Sequence, residues 1–154
     1  MATTSLPVVR VGNESGEIQP GQVLDGSTKS FDIVNRQAGA VTLLNITADT
    51  LIDASFWWWR ISHLPFGRQA YFEIIGAGSV AGLGITASLY TAAGVLIAGS
   101  SVTATSTAAN ATTLSEVGPI AMPSTDTLLQ VKFRNSTGTL LGTGSLFIAR
   151  LNIR

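Results

Sequence analysis

The sequence predicts an all-β fold, an antiparallel β-sandwich or jelly roll. Strand-like runs recur about every ten residues with turn chemistry between them. Thr, Val, Ile and aromatic residues dominate those runs, as suits pleated, half-buried surfaces. No window of about 12 residues combines helical periodicity with caps at both ends.

The runs are 8–11, 22–24, 30–35, 41–47, 56–62, 70–75, 84–91, 95–98, 102–105, 112–116, 127–134, 139–141 and 145–153. The separators are turn formers such as Gly12-Asn13, Pro20-Gly21, Asp25-Gly26 and Gly118-Pro119, and every proline falls between runs, where no ladder hydrogen bond is lost. Toward the C-terminus Leu129, Val131 and Phe133 alternate with Gln130, Lys132 and Arg134. Phe147, Ala149, Leu151 and Ile153 alternate with Ile148, Arg150, Asn152 and Arg154. Each run therefore has one apolar and one mixed face, and the last strand ties the C-terminus into a sheet. The segment 103–113 has no large apolar residue and reads as a loop or an exposed strand edge.

At 154 residues the chain is a single domain overall. Residues 1–36 form an N-terminal extended arm or the first strands, and 37–154 the sandwich. There is no cysteine, which excludes disulfides, thiolate metal sites and cysteine nucleophiles. Nine basic and nine acidic residues cancel, with no basic cluster for nucleic acid. Residues 1–10 show no basic segment leading into an apolar one, so no secretory signal is expected.

Charged residues are only 12% of the chain, and positions 74 to 115, 42 in a row, carry none. A span this neutral suggests a membrane or packing against other protein. Its glycines at 76, 78, 82, 84, 94 and 99 and its scattered Ser and Thr argue against a membrane helix. The pieces on either side of Gly94 read as a hairpin.

Gly76-Ala-Gly78-Ser-Val-Ala81 matches the letters of a dinucleotide fingerprint. It lacks the following helix and an acid about 20 positions on, so it reads as a flexible turn. His63 is the only histidine; a Ser-His-Asp triad with Asp32 or Asp53 lacks a nucleophile elbow, and a metal site lacks partners. His63 is expected instead to be hydrogen-bonded at a strand end. Asp49 with Asp53, or Glu14 with Glu17, could be paired carboxylates, but both pairs sit in turn-rich segments where acids are common. No catalytic residue, metal ligand or cofactor is expected, and the chain reads as a non-enzyme.

Phe56-Trp57-Trp58-Trp59-Arg60 is the strongest local feature. On a strand Phe56, Trp58 and Arg60 face one way and Trp57, Trp59 and Ile61 the other. One face can be core; the other must be covered by a second layer, a partner or a ligand. Trp57, Trp58, Trp59 and Arg60 are therefore the interface candidates, since Trp and Arg are common anchors. Burial of both faces within one sandwich and a sugar-stacking platform on Trp57 or Trp59 stay open beside that reading.

The Thr/Ser/Ala/Gly-rich strands from 74 to 113, the absence of cysteine, the low charge and the final strand Gly144-Ser-Leu-Phe-Ile-Ala-Arg-Leu-Asn-Ile-Arg154 together resemble the small virion proteins of tailed bacteriophages, capsid decoration (cement) proteins among them. The resemblance covers roughly the last 80 residues. It implies a sandwich or jelly-roll homotrimer on the capsid surface, made in the host cytoplasm, that bridges major capsid subunits and stabilises the head. Its partners would be the major capsid protein and its own copies, with no nucleic acid and no membrane. The N-terminal arm would reach a neighbouring subunit. The alternative is a carbohydrate- or receptor-binding module of a tail fibre or tip, with a glycan as ligand.

Overall fold

The computed structural model describes residues 29–35, 41–44, 48–51, 56–135 and 142–154. The strands are β1 (Lys29–Asn35), β2 (Val41–Leu44), β3 (Thr50–Leu51), β4 (Trp57–Trp59), β5 (Ala70–Gly78), β6 (Gly84–Thr91), β7 (Val102–Thr105), β8 (Thr112–Ile120), β9 (Thr127–Asn135) and β10 (Thr143–Ile153). Among the described residues the helical structure is one 3-10 turn, Ile61–His63. The runs expected at 8–11, 22–24 and 139–141 lie outside the described residues.

All strand pairs among the described residues are antiparallel. Sheet A runs β1-β10-β5-β8, with β2 continuing beside β10; sheet B runs β3-β9-β6-β7, with β4 continuing beside β9. With β1/β2 and β3/β4 counted as one strand each, the orders become 1-8-3-6 and 2-7-4-5. This is the jelly roll. The boundary at residue 36 falls after a strand already inside sheet A, since Lys29–Asn35 pairs with β10 from Ile153 to Ile148.

The alternation read from the C-terminal strands produces the core. Leu129, Val131 and Phe133 of β9 share the inner face of sheet B with Ile85, Ala87 and Leu89 of β6 and join the core with the inner side of sheet A, where Phe72, Ile74, Ala149 and Leu151 are fully enclosed. On β10 the pairing slips between Leu146 and Ile148. Phe147 is the extra residue of this bulge, so Leu146 takes the buried place that simple alternation gives to Phe147.

The 95–98 run does not extend the sheet as a full strand. Gly94, at φ 86°, turns the chain, and Leu96 makes a single bridge to Tyr90. Ser100 Oγ then accepts from Leu89 N at 3.0 Å, before β7 resumes the pairing with β6. The segment 103–113 divides between the edge strands β7 and β8 and the loop joining them. It contributes to the interior after all: Ala104 is buried, and Ser106 Oγ accepts from Gly78 N at 2.5 Å while donating to Ala111 O at 2.9 Å.

The glycine motif at 76–81 divides between strand and turn: 76–78 end β5, and 79–82 turn the chain toward β6. Gly76 and Gly78 are buried strand residues of β5. A Cβ on Gly76 would lie 1.9 Å from Ile85 Cδ1, and one on Gly144 would lie 2.4 Å from Ile85 Cγ2. Ile85 of sheet B is thus a knob received by two glycines of sheet A, and the missing side chains bring the sheets close.

Gly76→Ala is expected to cost about 1–3 kcal/mol by overpacking. Ile85→Val removes the clashing methyl, so the double variant should be more stable than the sum of the single losses; urea unfolding of all four proteins measures the coupling.

Candidate binding surface

β4 lies beside β9 with Trp57 opposite Leu129, Trp58 opposite Leu128 and Trp59 opposite Thr127. Opposed residues share a face, so the alternation expected for Phe56 to Arg60 is realised. Trp59 is wholly enclosed and donates its indole N–H to Pro123 O at 2.9 Å. Trp57 is half-buried; its ring is stacked on His63 at 5.1 Å and lies 5.3 Å from Phe31. Trp58 is 55% exposed and Phe56 49% exposed, and Arg60 is also exposed. Of the four candidates, then, Trp58 and Arg60 reach the surface, Trp57 lines its margin and Trp59 belongs to the core. A sugar ring could not reach the enclosed Trp59; Trp58 is the open indole.

The chain leaves β4 into the turn Ile61–His63. Ile61 N donates to Asp126 Oδ1 at 2.9 Å and Arg60 N to His63 Nδ1 at 3.2 Å. Because Nδ1 accepts, the neutral ring carries its proton on Nε2. Phe31, Trp57 and Trp59 surround the imidazole, with centroids 4.9, 5.1 and 5.6 Å away. Burial holds the His63 pKa below its ordinary 6.5; Arg60 and Lys29 push the same way and Asp126 opposes them. His63 is hydrogen-bonded just past the end of a strand. Asp32 pairs instead with Arg150 and accepts from Asn35 Nδ2 at 2.6 Å; Asp53 lies outside the described residues.

Alternation puts Ile61 on the face of Trp57 and Trp59, but Ile61 opens the 3-10 turn and faces solvent, and the next turn exposes Phe66. Ile61 is 52% and Phe66 100% exposed, and Val95 and Leu96 of the β6–β7 connection are exposed too. Pro65 and Gly67 mark a turn in the sequence, but turn chemistry does not say whether an intervening Phe folds inward.

The outer face of sheet B beside this corner is polar and internally satisfied. Tyr90 Oη and Arg134 Nη1 both donate to Asp49, and Lys132 Nζ stands 4.6 Å from the Tyr90 ring centre. The hydrogen bond to Asp49 is the main reason the Tyr90 pKa is raised. Asp49 is therefore engaged in a surface network; Asp53, Glu14 and Glu17 lie outside the described residues. Thr86 Oγ1 pairs with Thr103 Oγ1 at 2.7 Å, and Ser88 Oγ with Ser101 Oγ at 2.8 Å. Much of the neutral span is thus interior or hydroxyl-paired: β6 is buried from Gly84 to Leu89. Among the described residues no group of three or more His, Cys, Asp or Glu is placed to hold a metal, and no helix is long and apolar enough to cross a membrane.

Trp59→Ala should cost about 3–5 kcal/mol, whereas Trp58→Ala should change stability by less than about 0.5 kcal/mol; chemical unfolding distinguishes them. His63 predicts a pH dependence. Its folded pKa lies below the unfolded value, so the stability it contributes is present above pH 6.5 and is lost as pH falls through the folded pKa. The Tm of the wild type relative to His63→Gln should therefore decline between pH 7.5 and 5; a constant difference would contradict this.

Neither a family model nor a curated protein sequence matches the chain. Among solved structures it is similar to the carbohydrate-binding module CBM36 in complex with calcium and xylotriose, at TM-score 0.44 and 13% identity over 82% of this chain and 99% of that one. It is also similar to chains of the infectious bursal disease virus Gt strain, at TM-score 0.46 and 12% identity over 83% of this chain, and of the VP2 subviral particle of that virus, at TM-score 0.39 and 13% identity over 82%. It spans about a third of the length of those viral chains, 32% in both cases. The jelly-roll assignment rests on the strand order itself.

Proposed function

We propose that the chain is a structural protein of a virion, a capsid decoration subunit on the head of a tailed bacteriophage that binds the major capsid protein through the corner formed by residues 56–66. One observation carries this reading: Phe56, Trp58, Ile61 and Phe66 are between 49% and 100% exposed within that one segment. Large apolar side chains gathered at one place on a surface are a feature of protein contacts. Trp58 and Arg60 are both of residue types enriched among interface hot spots. The segment is also braced for such use. Trp59 fixes it to the core, and Asp126 and His63 hold the turn that presents Ile61. Binding would then cost little ordering entropy. Its task is mechanical, to join neighbouring shell subunits.

A second reading uses the same Trp58. An open indole can stack on a sugar ring, which is the carbohydrate-binding alternative.

Co-expression with the major capsid protein of the same virion, followed by particle sedimentation, tests the proposal. Wild type should sediment with the particles and Trp58→Ala should lose at least tenfold in occupancy while keeping its Tm. Equal sedimentation of the two would remove the corner from the interface. A glycan-array signal abolished by the same substitution would replace the capsid reading with the sugar one.

A further inference from the structure

The two sheets end differently. β7 closes one side of sheet B, and its Thr105 carbonyl accepts a hydrogen bond from Thr113 Oγ1 at 3.1 Å. On the far side of sheet A, β1 carries Lys29 and a bulge between Asp32 and Val34. Lysines, bulges and short strands are the usual devices that stop a sheet edge from pairing further. β8 closes the other side of sheet A with nine residues, and among the described residues no strand pairs with its outer side. Its second half is blunted: the pairing with β5 shifts between Val117 and Ile120, around Gly118 and Pro119. Its first half, 112–116, pairs regularly with β5 and has no proline, lysine or bulge.

The one charge in that half, Glu116, is turned back along the sheet. Its carboxylate accepts from Arg154 Nη2, and from Asn152 Nδ2 at 3.0 Å. Leu114, at the middle of the half-strand, is 58% exposed. It stands opposite Ile75 of β5, which stands opposite Ile148 of β10. The three form an apolar stripe across the outer face of sheet A that ends at the open edge.

We infer that the 112–116 half of β8 pairs antiparallel with the same strand of a second copy, about a two-fold axis at Leu114. The register follows from what each alternative would oppose. Centred on Leu114, the stripe Ile148–Ile75–Leu114 continues without a break into its symmetry mate, and each Glu116 faces Thr112 of the other copy. A pairing centred on Glu116 would set like charges directly opposite and is disfavoured. An isologous contact of this kind closes after two copies, so the edge is consumed and does not propagate. It uses neither Trp58 nor the 56–66 corner, so it stands or falls apart from the proposed capsid contact. It also provides a two-fold, where the virion resemblance implies a threefold.

The test uses the full chain, which has no cysteine of its own. Light scattering after size exclusion should give twice the mass of the chain for wild type and for Trp58→Ala, and the single mass for Leu114→Lys. Directly opposed residues have Cα atoms about 4.5–5.5 Å apart, within disulfide reach. L114C should therefore form an intermolecular disulfide on mild oxidation. T112C should not, because position 112 and its own copy are about 13 Å apart along the strand. A monomeric or trimeric wild type, a dimer that persists in Leu114→Lys, or cross-linking of T112C equal to that of L114C would each overturn the inference.

Discussion

β10 is the strand on which sheet A depends. On one side it pairs with β1 and β2, and on the other with β5 along nearly its whole length. β10 therefore sets the register of strands far earlier in the sequence. Its slip at Phe147 changes which side chains reach the core. Leu146, Ala149, Leu151 and Ile153 are all enclosed as a result. Backbone reciprocity continues to the end, where Gln69 and Arg154 exchange N–H to carbonyl bonds at 2.9 and 3.0 Å. A non-local pairing of this kind is rewarded only after a long loop has closed, so it specifies one topology rather than a set of local hairpins.

The closeness of the two sheets is the second constraint. Ile85 enters the space left by Gly76 and Gly144, and Leu83 the space beside Gly78. Small residues on one sheet facing branched residues on the other interdigitate, much as helices do with knobs and holes. This tight region explains why the glycines of a pattern that resembles a nucleotide loop serve packing, while 79–82 turn the chain into β6. It also accounts for the absence of charge along β6. A strand such as β6, buried along most of its length, has no room for long charged side chains, and its outward hydroxyls pair with those of the 101–103 segment.

Charge is gathered where the sandwich meets water. Asp32, Arg150, Glu73 and Glu116 stand opposite one another across four strands of sheet A. Arg150 Nε is 3.0 Å from Asp32 and Nη1 is 3.4 Å from Glu73, ion-pair contacts without hydrogen-bond alignment. The adjacent Glu73 and Glu116 would repel, but Asn152 Nδ2 donates to both, at 3.2 and 3.0 Å. Such partly exposed pairs add little net stability; their larger effect is to make one cross-strand register cheaper than its neighbours. Among the described residues the charged groups of these outer faces are partnered within the chain, whereas the 56–66 corner and the β8 edge keep large apolar side chains exposed.

The sequence by itself determined that the fold is all-β, roughly where most described strands run, and which residues of β9 face inward, because strand alternation is a local property of the backbone. It also determined that the residues from Phe56 to Arg60 must divide between two environments. Tertiary structure decided which side was the core. The pairing of β4 with β9 puts Trp59 inside and Trp58 outside, and period two alone is blind to that choice. It likewise decided that Gly76 receives Ile85 and that Phe147 sits in a bulge. It left Phe66 uncovered, brought Asp49, Tyr90 and Arg134 together, and set Leu114 on an open edge. Each of these depends on which distant strand lies alongside, and the long-range pairing energy that makes that choice is not written in any short window of sequence.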